Sequence, residues 1–390
     1  MTPKSKTIPF NSPFIVGKEL YYIAQAVLQN RQISGAGPFT LKCQAWLEAR
    51  LGCGKALLTH SCTAALEMAA ILLDLQPGDE VIMPSFTFVS TANAFALRGA
   101  RPVFVDIDRK SLNLDPALLE QALTEKTKAL VPVHYAGIPC DMDAIMAFAD
   151  RHGLFVVEDA AQALLSTAGG KALGAIGHLG CLSFHETKNI ISGEGGALLV
   201  NDPRFAERAE IIWEKGTNRR QMFRGEVDKY TWLDIGSSFL PSDIIAAFLY
   251  AQFEQAEAIV ARRVAIFERY RRALSPLAEA GLVRLPSSDA AQSGNAHIFF
   301  LIAASGEERG RLIAHLAARG IKSVFHYVPL HASPAGMRLG RTATAMTVTD
   351  AVSARLTRLP LYYEMDDADI EAVIEGVRSF YAASPRAGEG

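Results

Sequence analysis

Lys188 lies between an apolar run and a glycine-rich segment. The chain reads Ser183-Phe184-His185-Glu186-Thr187-Lys188, and the segment Ser192-Gly193-Glu194-Gly195-Gly196 follows. An amine held at the end of a rigid strand, beside glycines that let a ligand approach, is suited to Schiff-base chemistry. An ordinary surface lysine in a loop is the alternative, and this stretch alone does not decide between the two interpretations.

A carboxylate with matching chemistry lies upstream at Asp159. It follows the apolar run Phe155-Val156-Val157-Glu158, so we expect it at a strand end, facing the crevice in which parallel sheets bind ligands. In a protein that carries pyridoxal phosphate, a carboxylate there keeps the pyridine nitrogen protonated. A helix N-cap before Ala160 is an equally good interpretation of Asp159 alone.

Groups for a phosphate and for a flat ring are also present. Ser61-Cys62-Thr63 precedes a predicted helix whose first N–H groups, with the hydroxyls, could bind phosphate, and Ser183 could add another hydroxyl. Phe86 and Phe88 follow a predicted strand and could stack on a ring, although each is a candidate core residue as well. No P-loop or dinucleotide-binding glycine pattern is found, so nucleoside triphosphates and NAD are not indicated.

The elements that would position these residues alternate between strand and helix. Short apolar β runs separated by helical stretches are typical of a mostly parallel sheet covered by helices on both faces. The predicted strands are 56–59, 80–84, 102–107, 129–134, 154–158, 181–184 and 197–200, and the predicted helices are 64–73, 89–97, 116–123 and 143–151.

The pattern changes in the last third of the chain. We predict one long helical stretch over 244–274, β runs near 297–302 and 323–327, and a helix over 307–318 between them. This predicts a large domain over residues 1–250 and a smaller α/β domain over 251–390. Only the tail 384–390 has a composition typical of disorder.

Composition excludes several classes of function. The 390 residues are 49% hydrophobic and 21% charged with a formal net charge of -2, which gives no nucleic-acid footprint. No apolar run reaches membrane-spanning length and no secretory signal is visible, so we expect no membrane partner and a cytoplasmic location. Five cysteines without C-x-x-C spacing indicate neither a disulfide framework nor a zinc site.

Taken together, the motifs resemble those of the nucleotide-sugar aminotransferases of the DegT/StrS type, a branch of the fold-type I pyridoxal-phosphate enzymes. The resemblance extends from about Ile8 to Tyr381 and rests on motifs in a fixed order. These are Ser61-x-Thr63-x-Ala65-Leu66, Pro84-x-x-Thr87-Phe88, Glu158-Asp159-Ala160-Ala161-Gln162, and Ser183-Phe184 with Lys188 and Gly193-Glu194-Gly195-Gly196.

The resemblance implies a role for each matching residue. Lys188 would bind the cofactor covalently and then act as the base, which requires its pKa to fall from about 10.4. The other cofactor contacts implied are Asp159 with the pyridine nitrogen, Gln162 with the phenolic oxygen, Phe88 stacked on the ring, and Cys62, Thr63 and Ser183 around the phosphate. Ser238 matches a position from which many relatives donate an Asn across a dimer interface, and here the contact would be a hydroxyl.

The substrate side is implied in the same way. His185 is the candidate sugar contact, with a core histidine as the alternative, and His326 begins a segment that resembles the family's closing loop over the active site. Further motifs, such as His185-Glu186-Thr187-Lys188-Asn189, are similar to those of members that aminate dTDP-4-keto-6-deoxy-D-glucose at C4 with L-glutamate, giving dTDP-4-amino-4,6-dideoxy-D-galactose for a surface polysaccharide of the enterobacterial common antigen type. Another epimer, a UDP sugar or amination at C3 remains the alternative. A shared site implies a homodimer.

Overall fold

The computed structural model describes residues 7–287 and 294–383, and it is organised around one eight-stranded sheet. The order across this sheet is β1-β9-β8-β5-β4-β2-β3-β11. Its strands are β1 (Lys55–Thr59), β2 (Glu80–Pro84), β3 (Arg101–Val105), β4 (Thr127–Leu130), β5 (Phe155–Asp159), β8 (Leu179–Ser183), β9 (Gly196–Val200) and β11 (Arg341–Thr342). The short hairpin β6 (Thr167–Ala168) and β7 (Lys171–Ala172) is separate, as is the antiparallel pair β10 (Phe299–Ile302) and β12 (Leu356–Leu359).

The sheet is mostly parallel, as predicted. Strands β3, β2, β4, β5 and β8 pair in parallel, and only β9 runs against its neighbours β1 and β8. Because the parallel strands end at the same edge, residues that follow them in sequence meet there. All the predicted strands of the first two hundred residues are confirmed within a few residues at their ends.

Helices bury both faces of this sheet. Within β2, Val81 and Met83 pack into one hydrophobic cluster, whereas Ile82 packs into another on the opposite face. This alternation explains why the strands read as continuous apolar runs. The helices are α1 (Glu19–Ala24), α2 (Pro38–Leu51), α3 (Cys62–Leu72), α4 (Val89–Ala96), α5 (Leu119–Ala122), α6 (Met142–His152), α7 (Ala206–Trp213), α8 (Arg219–Phe223), α9 (Asp243–Glu254), α10 (Ala256–Glu279), α11 (Gly306–Ala318), α12 (Pro334–Leu339), α13 (Thr347–Arg355) and α14 (Asp367–Ala383).

The prediction of one helical stretch over 244–274 is wrong in one respect, because the chain bends by 62° between α9 and α10, at Gln255. Helix α9 packs in one core, whereas α10 begins in that core and continues into another. Phe253 of α9 stacks on Trp46 of α2, whereas Phe267 of α10 packs with Phe299 of β10. The bend lets the chain pass from one core to the other. We propose that it divides the two domains expected over 1–250 and 251–390.

The predicted β run at 323–327 is also corrected. Only Val324 makes a bridge, to Arg358 of β12, and no strand forms there. Tyr327 has φ of +41°, a left-handed conformation that cannot continue a strand. The segment that follows crosses back to the large sheet, where β11 pairs with β3. The tail 384–390 lies outside the described residues.

No single helix in the described parts of the chain is long and apolar enough to cross a membrane. Among the described residues, α9 and α10 would be long and apolar enough if taken together, but a bend of 62° separates them.

Candidate active site

A cleft of about 780 Å³ lies beyond the carboxyl ends of the parallel strands and is lined by residues from both parts of the chain. Ligands bind at this edge in open α/β sheets. The cleft brings together nine of the ten residues singled out from the sequence: Cys62, Thr63, Phe88, Asp159, Gln162, Ser183, His185, Lys188 and His326. Ser238 does not line it.

Lys188 projects from a loop that closes on itself after β8. The backbone N–H groups of Phe184 and Glu186 donate to the carbonyls of Gly195 and Gly193, both at 2.8 Å. Gly193 has φ of +81°, a conformation that glycine adopts without strain. The loop therefore holds Lys188 at a fixed place over the strand ends, as the lysine and glycine pattern predicts.

The amine of Lys188 has no hydrogen bond or salt bridge to any residue that the structure describes. Burial is the largest influence on its pKa and lowers it, and the positive charge of Arg358 adds to this effect. Cys62 and Asp159 act in the opposite direction but do not cancel the shift. A larger fraction of neutral amine is therefore present near neutral pH, which a nucleophile and base needs.

Asp159 is the last residue of β5, and its carboxylate is held by two donors. The hydroxyl of Thr91 donates to Oδ2 at 2.7 Å, and the backbone N–H of Ala161 donates to Oδ1 at 3.2 Å. Thr91 in turn lies 2.7 Å from the hydroxyl of Thr87. No helix begins after Asp159, so the N-cap interpretation is wrong, and the carboxylate, only 5% exposed, lines the cleft.

The first turn of α3 lines the cleft, where the sequence predicts a phosphate contact. Ser61 caps the helix, since its hydroxyl accepts the N–H of Ala64 at 3.1 Å, and the cleft-lining Cys62 and Thr63 follow it. A Cβ on Gly196 would come within 2.4 Å of the backbone N of Cys62, so only glycine lets β9 lie this close to the helix start. Thr63 shares a 2.7 Å hydrogen bond with Ser90, a cleft hydroxyl that the sequence analysis missed.

Cys62 is buried among these groups, and burial raises the pKa of its thiol well above the usual range. It therefore remains a neutral thiol beside the predicted phosphate contact, where a thiolate would repel phosphate. Ser183, at the end of β8, adds its hydroxyl to the same cleft.

Three aromatic rings line the cleft, those of Phe88, Phe325 and Tyr327, and only Phe88 was expected there. Phe88 is 57% exposed, so its ring is free to stack on a ligand, whereas Phe86 is buried in the core. Tyr327, which the sequence analysis did not single out, lies 6.5 Å from Phe88 between ring centres. Its hydroxyl accepts a 2.8 Å hydrogen bond from the side-chain amide of Gln162. The oxygen of that amide accepts the N–H of Ala136 at 2.7 Å. These two hydrogen bonds fix the orientation of the Gln162 side chain, which lines the cleft.

The two candidate substrate histidines differ in environment. His185 is 41% exposed and bonds to Thr187 at 2.9 Å, so the core-histidine alternative is wrong. Ser183 and His185 both line the cleft and Phe184 packs into the core, as strand alternation predicts. His326 is buried, pairs through Nδ1 with the hydroxyl of Tyr135 at 2.8 Å, and has a pKa lowered by burial and by Arg358.

Arg358 is the most informative residue that the sequence analysis missed. It comes from β12, lines the cleft, and its buried Nε has no hydrogen-bond partner. Its guanidinium lies 4.6 Å above the ring of Phe10, and among the described residues no carboxylate pairs with it. An arginine inside the apolar run Leu356-Thr357-Arg358-Leu359 is the signal that could have indicated a buried cation.

Ser238 lies on the surface, where its backbone bridges to Glu214. It does not line the cleft of its own protomer. Among the described residues, no group of three His, Cys, Asp or Glu side chains could hold a metal ion, and His331 is engaged with the hydroxyl of Ser85 at 2.7 Å.

The donor set fits pyridoxal phosphate. An unpartnered amine, a strand-end carboxylate, a helix start with hydroxyls and an exposed aromatic ring meet in one cleft, and the glycine at 196 leaves room for the helix start. Lys188, Asp159, Phe88 and the Cys62-Thr63 turn with Ser183 would hold the cofactor.

Comparisons with known proteins agree with this geometry. Residues 15–378 match the model of the DegT/DnrJ/EryC1/StrS aminotransferase family. The spore coat polysaccharide biosynthesis protein SpsC of Bacillus subtilis is 34% identical over 379 residues, which cover 95% of this chain and 96% of SpsC.

Two solved structures extend the comparison to the fold. The aminotransferase TlmJ from Streptoalloteichus hindustanus is 31% identical with a TM-score of 0.87, covering 96% of this chain and 99% of TlmJ. The PLP form of the putative sugar aminotransferase Spr1654 from Streptococcus pneumoniae is 28% identical, also with a TM-score of 0.87, covering 97% of this chain and 99% of its own.

These findings confirm three predictions: a fold-type I architecture, an aminotransferase, and pyridoxal phosphate as the cofactor. They support the finer choice of sugar only as far as a sugar aminotransferase. The chain belongs to the DegT/DnrJ/EryC1/StrS aminotransferase family.

Proposed function

We propose that the protein moves the amino group of L-glutamate to C4 of dTDP-4-keto-6-deoxy-D-glucose, giving dTDP-4-amino-4,6-dideoxy-D-galactose and 2-oxoglutarate. The observation that carries transamination is the unpartnered amine of Lys188 in one cleft with Asp159. The choice of sugar rests on the sequence motifs described above. Another epimer, a UDP sugar or amination at C3 is the second candidate within the same family.

Lys188 has two tasks in this reaction. When bound, pyridoxal phosphate supplies an electron sink that lets the C–H bond beside an amino group break. The neutral Nζ of Lys188 would accept that proton from the α-carbon of the amino donor, and in the second half of the reaction it would deliver a proton to C4 of the sugar. Burial serves this task because it keeps the pKa of the amine below its ordinary value. Lys188 is therefore the catalytic residue of the site.

Asp159 and its hydroxyl partners supply the opposite charge. The carboxylate accepts from Thr91 and from the N–H of Ala161, which fixes both oxygens in direction. A buried anion so oriented holds a proton on a ring nitrogen of a bound cofactor. The Cys62-Thr63 turn with Ser183 orients the phosphate at the other end, so the cofactor is held at two points.

Arg358 provides a place for the carboxylate of the amino donor. Arg358 is half-buried and its Nε has no hydrogen-bond partner, so the guanidinium is available to bind a carboxylate through charge-assisted hydrogen bonds. It lies in the cleft with Lys188, whose pKa it influences, so a donor held by Arg358 would have its amino group near the reacting amine. The neutral His326 beside it adds no competing charge.

We also propose a homodimer with shared sites. Between α7 and α9 the chain makes an excursion closed by backbone bridges from Glu214 to Ser238 and from Thr217 to Trp232. This excursion exposes large apolar side chains, including Trp232 at 79%. Apolar surface of this kind is typical of an interface with a second copy. An interface formed by this excursion would bring Ser238 to the cleft of the neighbouring protomer. A cytoplasmic location remains a prediction.

Product analysis tests the reaction. We expect the purified protein, loaded with pyridoxal phosphate and given L-glutamate and dTDP-4-keto-6-deoxy-D-glucose, to form the 4-amino sugar with galactose configuration, as read by proton NMR. Lys188→Ala should lower turnover by at least about 1000-fold, because nucleophile and base are lost together. Lys171→Ala, which removes an exposed lysine of β7, is the control. A glucose-configured product would favour the second candidate, and normal turnover in Lys188→Ala would contradict the mechanism.

Arg358→Gln tests the donor site. We expect the KM for L-glutamate to rise about 10-fold to 100-fold, since a charge-assisted hydrogen bond to a carboxylate contributes about 1.5–3 kcal/mol. The KM for the sugar nucleotide should stay within about twofold, because Arg358 contacts only the donor in this account. Steady-state kinetics with each substrate varied in turn gives both values. Arg355→Gln, at the exposed end of α13, is the matched control. An unchanged glutamate KM would exclude this role for Arg358.

Trp232→Glu tests the dimer. A charge in place of the exposed indole should weaken the association, because dimer formation would bury the carboxylate in an apolar interface without a partner. Light scattering after size-exclusion chromatography should show a dimer for the native protein and a larger monomer fraction, with lower activity, for the variant. Arg311→Ala, on the exposed face of α11, should leave the dimer intact. A fully active native monomer would contradict a shared site.

A further inference from the structure

The residue directly after the lysine is part of a buried polar network. The side-chain nitrogen of Asn189 donates to the carbonyl of Asn295 at 2.7 Å, which turns its amide oxygen toward His297. That oxygen lies 3.0 Å from Nδ1 of His297. Because an amide oxygen can only accept, the hydrogen-bond pattern assigns the proton of the imidazole to Nδ1.

His297 is fixed in this neutral form by its surroundings. The side chain is 5% exposed, and the charged or titratable groups that influence it are Lys188, Arg263, Arg358 and His326. All four are bases. Burial is the largest influence and, with these neighbouring bases, lowers the pKa of His297 well below its usual range, so the imidazole does not acquire a second proton near neutral pH.

The network ties the lysine loop to two other segments. The side-chain amide of Asn295 donates to the carbonyls of Gln162 and Leu164, both at 2.9 Å. Arg263 of α10 holds the carbonyl of His297 through Nη2 at 2.7 Å. The loop that carries Lys188 is therefore anchored through Asn189 to the segment that precedes β10. Through Asn295 it is also tied to the segment after Asp159.

We propose that His297 is a positioning residue for Lys188, acting through the hydrogen bond from its Nδ1–H to Asn189. This inference rests on the proposed function, because it needs Lys188 to be the amine that reacts. The hydrogen bond fixes the backbone from which Lys188 projects. It therefore sets how often the amine is in position to react with the cofactor. His297 also lines the cleft, but in this role it acts through Asn189 and not through contact with a substrate.

Two substitutions at His297 separate its nitrogens. In His297→Asn the side-chain amide places an N–H where Nδ1–H was but provides nothing at Nε2, whereas His297→Phe keeps a ring and loses both. We measure the rate of the visible absorbance change when pyridoxal phosphate is added to each apoprotein, and then kcat and both KM values. His297→Phe should slow the absorbance change and kcat about 10-fold, the effect of about 1.4 kcal/mol. Both KM values should stay within about twofold, and His297→Asn should restore the rates to within about threefold.

Asn189→Ala approaches the same bond from the other partner and carries the test if His297→Phe does not fold. It should slow the absorbance change to a similar extent, and the double variant should be no slower than either single variant, because the two residues share one interaction. Native rates in His297→Phe or in Asn189→Ala, or a His297→Asn variant as slow as His297→Phe, would overturn the inference. In these cases the native protein still reacts with the cofactor, whereas failure of the proposed function would remove the absorbance change from the native protein itself.

Discussion

A lysine amine held at the wall of the cleft without a partner is the constraint on which the rest of the site depends. Lys188 has no hydrogen-bond or ion-pair partner within residues 7–287 and 294–383, and burial lowers its pKa. The side chain is half-buried and lines the cleft, so its donors remain available to a ligand. The strand ends, the closed loop and the network around Asn189 fix its position before any ligand arrives. A polar group held without a partner at one point of a fold is typical of a functional site.

The two carboxylates at the end of β5 show how the scaffold supports that site. Glu158 and Asp159 point to opposite faces of the sheet. Glu158 is fully buried and accepts from the N–H groups of Gly174, Ile176 and Gly177, and it pairs with His134 at 2.8 Å. Burial alone would raise the pKa of Glu158, but these donors lower it. Glu158 thus stabilises the fold, which leaves Asp159 free to serve the cleft.

Much of this arrangement could be predicted from the sequence because it is local. Strands buried on both faces produce the apolar runs that located β1 to β5, and residues following parallel strands must meet at one edge, which located Lys188, Asp159 and Phe88. Features set by tertiary packing could not be predicted in this way. At Gln255 the chain bends, so that α10 leaves the core of α9 and carries its later turns into a second core. The left-handed Tyr327 interrupts a run that reads as a strand.

The residues that the last third of the chain contributes to the cleft were the hardest to predict. Arg358 and His297 belong to or precede strands of the separate antiparallel pair, and they line one cleft with Lys188, more than a hundred residues away in sequence. No periodicity in the sequence encodes such a contact. His326 was found only through the family resemblance, and Ser238 remains a residue whose role depends on a second protomer.

Chemical trapping of the cofactor tests the central claim most directly. If the holoenzyme is reduced with borohydride, digested and analysed by mass spectrometry, the account predicts a reduced pyridoxal phosphate adduct on the peptide that contains Lys188 and on no other lysine peptide. An adduct on a different lysine, or none on Lys188 at full cofactor occupancy, would contradict it.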